Sequence, residues 1–204
     1  DPRKVFALRP VHPAVLLAVL VGISAAYLTG MGLSTLVDAY LFPVPQSVLE
    51  AFGEVMLDDE IPLWQLVFFI CVMPGILEEL AFRGVLLHGL RKTWSPVIVC
   101  LVTGGIFGLF HVDLFRLIPT AYLGVIFAAV VLLTGSIFPV MLWHFGNNAI
   151  ALVPQRMGWV TEETVFPEWV FAIAFVALLV VFWIIWKVST PYPDLKKTRP
   201  REFS

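Results

Sequence analysis

The chain has 204 residues, of which 59% are hydrophobic and 14% are charged, and its formal net charge is −2. Soluble domains contain about 25% charged residues, so this composition excludes an ordinary soluble domain and indicates an integral membrane protein. The chain has no excess of basic residues that would indicate a nucleic-acid partner. Its two cysteines do not have the spacing of zinc ligands.

The first predicted membrane span is Ala14–Val37, a run of 24 residues without a charge. A helix needs about 20 apolar residues to cross a bilayer, and this run is too long for a signal-peptide core. Residues 1–13 are predicted to be a cytoplasmic N-terminal segment. Beyond the span, Pro43–Leu57 has apolar residues near helical spacing, which predicts either an amphipathic surface helix or an ordinary loop.

The second predicted span begins with the uncharged run Ile61–Leu77 and continues into a segment that carries three ionisable residues. We expect Pro74-Gly75 to kink or break this helix just before them, because proline removes a hydrogen bond from the helical ladder. The third span is Thr93–Phe110. Its Gly104 and Gly108 share one face, which predicts close packing against another helix.

The fourth and fifth spans lie within Leu117–Gln155, a stretch of 39 residues without a formal charge. One helix of that length would far exceed a hydrocarbon core about 30 Å thick, so we expect a turn at residues 134–136. Trp169–Trp186 is the sixth span. The predicted fold class is therefore all-α, a polytopic transmembrane bundle of about six spans within residues 14–187. Residues 188–204 are predicted to be a disordered cytoplasmic tail.

The positions of the charged residues agree with an even number of spans, which places both termini on one side. Ten of the thirteen basic residues then lie on the side of the termini. The positive-inside rule predicts that this side is cytoplasmic. The opposite side collects most of the acidic residues, and its only two basic residues are Arg116 and Arg156.

Glu78, Glu79 and Arg83 are the ionisable residues within the second span. Charged groups are costly inside a membrane and usually mark a functional site. Glu79 and Arg83 are four residues apart on one helical face, so we expect them to pair. Glu78 has no such cation on its own helix, and its free carboxylate is a candidate general base.

Polar residues on two later spans complete the candidate site. His111 ends the third span on the face of Phe107. His144 and Asn148 share a face of the fifth span, while Asn147 is predicted to point elsewhere. A single histidine or asparagine in a membrane helix is more often a hydrogen bonder in helix packing, and this structural interpretation is favoured for His111 taken alone.

The three motifs Glu78-Glu79-x-x-x-Arg83, Phe107-x-x-x-His111 and His144-x-x-x-Asn148 follow one another on successive helices. In this order they resemble the CAAX protease and bacteriocin-processing family (CPBP, or Abi), which includes the type II CAAX prenyl endopeptidases. The resemblance covers about residues 63–154, the second to fifth spans, and implies that these four spans form the catalytic core.

This resemblance implies that the chain is an intramembrane endopeptidase. Glu78, with His111, would activate a water molecule, His144 and Asn148 would stabilise the oxyanion, and the glutamate–arginine pair would order the site. The expected partners are the lipid bilayer and a peptide or membrane-protein substrate, such as a leader peptide or a prenylated C-terminus. We expect a multi-pass protein of a bacterial inner membrane, with the oligomeric state open.

Two features limit what the resemblance implies. Some eukaryotic relatives have asparagine four residues after the first histidine, where this chain has Phe115, so prenyl specificity does not transfer directly. No HExxH motif is present. We favour chemistry without a cofactor, and zinc bound by Glu78, His111 and His144 is the alternative.

Two functions of other classes also fit the sequence. One is a non-catalytic membrane scaffold or immunity protein with the same fold. The other is an ion or proton pathway that uses the buried glutamate and the histidines as a relay.

Overall fold

The computed structural model describes residues 1–58, 60–160 and 166–189. Over these residues the chain is helical and forms no strand, which confirms the predicted all-α fold class. The eight helices of the described residues are α1 (Pro2–Val5), α2 (Pro13–Tyr40), α3 (Gln46–Leu57), α4 (Leu63–Leu90), α5 (Pro96–Phe110), α6 (Leu114–Thr134), α7 (Phe138–Arg156) and α8 (Glu168–Val188).

A helix occupies the position of each of the six predicted spans. Among the described helices, α2, α4, α6 and α8 are long and apolar enough to cross a membrane, and the protein is an integral membrane protein. Helix α5 is apolar but has only 15 residues. At about 1.5 Å per residue it is shorter than a hydrocarbon core of about 30 Å. Helix α7 is long enough but carries several polar side chains. We propose that α5 and α7 also cross, which gives six spans.

Helix α4 continues through Pro74, so of the two expected outcomes, a kink or a break, the break does not occur. Instead the helix widens into two π-helical stretches, Val67–Val72 and Leu80–Leu86, a feature frequent at functional sites. Because proline has no N–H, the carbonyl of Ile70 loses its usual donor. Asn148 of α7 donates its Nδ2–H to that oxygen at 2.8 Å. Pro74 thereby leaves the Ile70 carbonyl available as the acceptor that joins α4 to α7.

Glycines allow the helices that carry the polar motifs to approach closely. A Cβ added at Gly75 of α4 would lie 3.2 Å from the backbone nitrogen of Phe145 on α7. A Cβ at Gly104 would lie 2.8 Å from Val125 N, and one at Gly108 would lie 2.5 Å from Leu117 O. The predicted close packing of the third span is confirmed, and its partner is α6.

We expect Gly108→Ala to lower the free energy of unfolding by about 1–3 kcal/mol, because the added methyl group meets backbone atoms that cannot rotate away. Gly105 on the same helix has no neighbour within 4 Å of an added Cβ, so Gly105→Ala is the matched control. Thermal unfolding of both variants in detergent measures the difference. Equal stabilities would show that α5 and α6 are not packed this closely.

The turn predicted between α6 and α7 is confirmed. Gly135 has a φ of 64° and ends α6, a left-handed conformation that glycine adopts without strain. Its neighbours hold the N-terminal segment: Ser136 Oγ donates to the carbonyl of Arg9 at 2.6 Å, and Ile137 N donates to that of Ala7 at 3.1 Å. Residues 1–13 are therefore packed onto the bundle, a contact that the sequence did not predict.

Two further predictions concern the ends of spans. Pro43–Leu57 contains the helix α3, so the helical alternative is right, although its position relative to the membrane surface stays a prediction. Helix α8 ends at Val188. The predicted disordered tail lies outside the described residues from position 190 onward.

Candidate active site

One cavity of about 530 Å³ collects the polar side chains of three helices. Glu78 comes from α4, His111 follows the last residue of α5, and His144 and Asn148 come from α7. These four predicted site residues all line the cavity. The other two, which form the glutamate–arginine pair, are fully buried and do not line it.

Glu79 is the centre of a buried hydrogen-bond group. Its Oε1 accepts from Arg83 Nη1 at 2.9 Å and from His144 Nδ1 at 2.8 Å. The first bond confirms the pair predicted from helical spacing, and the second was not predicted. Because a carboxylate accepts, the Nδ1 of His144 carries a proton, and its Nε2 is left for the cavity side. Glu79 therefore sets both the orientation and the tautomer of His144.

Arg83 is held on several sides within the bundle. Its Nη2 donates to the carbonyl of Gly124 on α6 at 3.1 Å. Its guanidinium carbon lies 4.4 Å from the ring centre of Phe107 and 5.2 Å from that of Phe127. These are cation–π distances. The arginine thus connects α4 to α5 and α6, and it balances the charge of Glu79 in a region without exposed surface.

His111 is positioned by the end of α5. Its Nδ1 lies 2.9 Å from the carbonyl oxygen of Phe107. A carbonyl can only accept, so Nδ1 donates, and the Nε2 of the neutral ring is free to accept a proton. The Phe107 ring packs edge-on against His111 at 5.0 Å and against His144 at 5.9 Å. One phenylalanine therefore holds both imidazoles.

Glu78 is the free carboxylate of the site. Its side chain is 23% exposed, and its Oε2 lies 3.9 Å from His144 Nε2, beyond hydrogen-bond distance. Within the described residues that oxygen has no hydrogen-bond partner. Glu78 therefore lines the cavity with a carboxylate whose Oε2 is not used in a hydrogen bond within the described residues.

The structure corrects one prediction and adds residues that sequence reasoning missed. Asn147 lines the same cavity as Asn148, so it does not point elsewhere. It is 8% exposed, and its Oδ1 has no hydrogen-bond partner in the part of the chain described. Arg116 and Thr120 of α6 also line the cavity. The sequence did single out Arg116 in one respect: it is one of the two basic residues on the predicted side that collects most of the acidic residues.

The predicted alternative of a zinc site is not matched by the arrangement of side chains. In the described residues, no group of three or more His, Cys, Asp or Glu side chains could hold a metal ion. His144 uses Nδ1 for its bond to Glu79, so Nε2 is the nitrogen that remains for a ligand. We therefore derive no step through a metal.

Comparison with known proteins agrees with the motifs. Residues 60–150 match the family model described as type II CAAX prenyl endopeptidase Rce1-like. Comparisons with curated proteins and with solved structures gave no match. The matched region runs from the start of α4 into α7 and contains all six predicted site residues. Residues 60–150 are therefore similar to the Rce1-like family, which is consistent with the CPBP resemblance of the motifs.

Proposed function

We propose that this protein is an intramembrane endopeptidase in which Glu78, acting with His111, activates water for hydrolysis of a peptide bond. The Rce1-like match supports a CAAX-type protease. The observation that supports the mechanism is the Glu78 carboxylate, whose Oε2 has no hydrogen-bond partner in the described residues, in a cavity shared with two histidines and two asparagines.

In the first step, water attacks the carbonyl carbon of the substrate's scissile bond. Glu78 takes one proton from the water as the new C–O bond forms, and His111 Nε2 accepts a hydrogen bond that orients the same water. In the second step the C–N bond breaks, and Glu78 returns its proton to the leaving nitrogen. One water is consumed, and a new carboxyl group and a new amine are released.

The oxyanion of the tetrahedral intermediate needs donors on the opposite wall of the cavity. Asn148 uses one Nδ2–H for the carbonyl of Ile70, and the second remains for the substrate. Because Nδ1 of His144 is used for its bond to Glu79, Nε2 is the nitrogen left toward the substrate, and it carries an N–H when the ring is protonated. His144 is only 6% exposed, and a donor in such a buried position would form a strong hydrogen bond to the oxyanion.

Comparative proteomics tests the proposed activity and identifies the substrate. Membranes from cells with the wild-type protein should contain cleaved peptide termini that are missing with the Glu78→Gln form, while the intact precursor accumulates. Identical profiles would favour the non-catalytic scaffold.

We further propose that both termini are cytoplasmic and that the cavity opens toward the other side of the membrane. Phe52 of α3, Arg116 of α6 and His111 after the end of α5 line the cavity, and the predicted six-span order assigns all three to that side. Single cysteines at Ser47 and Thr93 in a background without Cys71 and Cys100 check this topology. A membrane-impermeant maleimide should label Ser47→Cys in intact cells and Thr93→Cys after lysis, and the reverse pattern would contradict the orientation.

A further inference from the structure

We propose that Arg116 forms a carboxylate-binding subsite at the outer end of the catalytic cavity, which selects substrates with a C-terminal or side-chain carboxylate near the scissile bond. The inference rests on the proposed function, because it assumes that a peptide occupies this cavity. It adds a specificity residue that the motifs do not include.

Arg116 lies in the first turn of α6 and shares the cavity with Glu78, His111 and His144. One turn later Thr120 lines the same cavity, and its hydroxyl donates to the carbonyl of Arg116 at 2.6 Å. Residues four apart lie on one face of a helix. Arg116 and Thr120 therefore lie side by side on the wall that α6 contributes to the cavity.

The charge of Arg116 is not used within the described part of the chain. There it forms no ion pair, and its guanidinium carbon lies 5.8 Å from the ring of Phe115. The other basic residue of this side, Arg156, donates to the backbone carbonyls of Asp58 and Ile61 at 2.9 and 3.3 Å. Arg156 is thus tied to the chain between α3 and α4, whereas the donors of Arg116 face the cavity and the solvent.

The chemistry of the unused donors indicates the ligand. A guanidinium presents a planar fork of N–H groups that matches a carboxylate and forms two charge-assisted hydrogen bonds. The cavity has a carboxylate, Glu78, near the middle of α4 and a cation, Arg116, at its mouth. A peptide carboxylate is repelled by the first and attracted by the second. The two charges therefore orient the peptide and leave its neutral backbone beside Glu78.

The test measures binding to the Glu78→Gln protein, which is designed not to cleave its ligand. The probes are three fluorescent N-palmitoylated heptapeptides that differ only at the C-terminus: a free carboxylate, a carboxamide, and a carboxamide with aspartate at the penultimate position. We expect one or both carboxylate peptides to bind about tenfold more tightly than the neutral peptide, which corresponds to about 1.4 kcal/mol. The carboxylate peptide that binds more tightly than the neutral one shows whether the subsite binds a C-terminal or a side-chain carboxylate.

Substitutions of Arg116 in the same background assign the preference. Arg116→Gln should abolish it without weakening binding of the neutral peptide, and Arg116→Lys should keep part of it. Lys187→Gln, on the opposite side of the membrane, should change nothing. Equal affinities for all three peptides, no binding of any of them, or a preference that survives Arg116→Gln would overturn the subsite.

Cleavage assays with the protein that retains Glu78 separate this inference from the proposed function. Arg116-dependent binding without cleavage by this protein would contradict the hydrolase and leave the subsite standing. Cleavage at equal kcat/KM for the charged and neutral peptides would contradict the subsite and leave the hydrolase standing.

Discussion

Glu78→Gln is expected to lower kcat for peptide cleavage by about 100- to 10,000-fold, the usual contribution of a general base. The amide is nearly the same size as the carboxylate, but it cannot take a proton from water. The fold should tolerate the change, because Glu78 Oε2 makes no hydrogen bond within the described residues. We therefore expect the free energy of unfolding to change by no more than about 0.5 kcal/mol.

Kinetics with a substrate identified by proteomics, together with thermal unfolding in detergent, measure both expectations. Glu168→Gln is the control, because Glu168 lies at the start of α8 and does not line the cavity. Cleavage by Glu78→Gln at the wild-type rate would remove Glu78 from the mechanism. Loss of folding together with activity would give the residue a structural role instead.

Arg83→Met is expected to lower the free energy of unfolding by about 3–5 kcal/mol, because it leaves the Glu79 carboxylate buried without its cation. Both side chains are 0% exposed, and the Nη1–Oε1 distance is 2.9 Å. Methionine retains much of the arginine's apolar volume, so the effect reports mainly on the lost charge. It is the largest stability effect that we predict for a single substitution.

A double variant separates the lost pair from the unpaired charge. Glu79→Gln with Arg83→Met removes both charges, and it should be more stable than Arg83→Met alone, since no uncompensated ion remains. Chemical denaturation in detergent gives the coupling energy, with the exposed Lys92→Met as a control expected within about 0.5 kcal/mol. A double variant as unstable as the sum of its single changes would contradict the pairing.

The predictions that concern single helices agree well with the structure. Helical spacing is a local property, so the spacing of Glu79 and Arg83 was enough to predict their bond. Likewise, a charge-free run of membrane length predicts a helix wherever it occurs, and all six predicted spans contain one. The need for a turn followed from length, because one helix of 39 residues would exceed the membrane thickness, and its place followed from the turn-forming residues Thr134-Gly135-Ser136.

The predictions that depended on neighbouring helices were incomplete or wrong. Pro74 does not break α4. A π-helical stretch precedes it, and Asn148 donates a hydrogen bond to the Ile70 carbonyl that proline leaves without a donor. Neighbouring side chains such as Asn147 and Asn148 point in different directions around the helix axis, yet the cavity is wide enough for both to line it. The packing of residues 1–13 on the turn before α7 uses the backbone carbonyls of Ala7 and Arg9 as acceptors, and these have no side-chain signature in the sequence.

What the sequence determined by itself is the helical membrane fold, the ionisable residues of α4 and their internal pairing, since each depends on apolar length or on fixed helical spacing. Only the tertiary structure decided that Glu79 also holds His144, 65 residues away, and that Arg116 reaches the same cavity. The reason is physical. Contacts between helices depend on how closely their surfaces approach, and here glycines such as Gly75 and Gly104 set that approach.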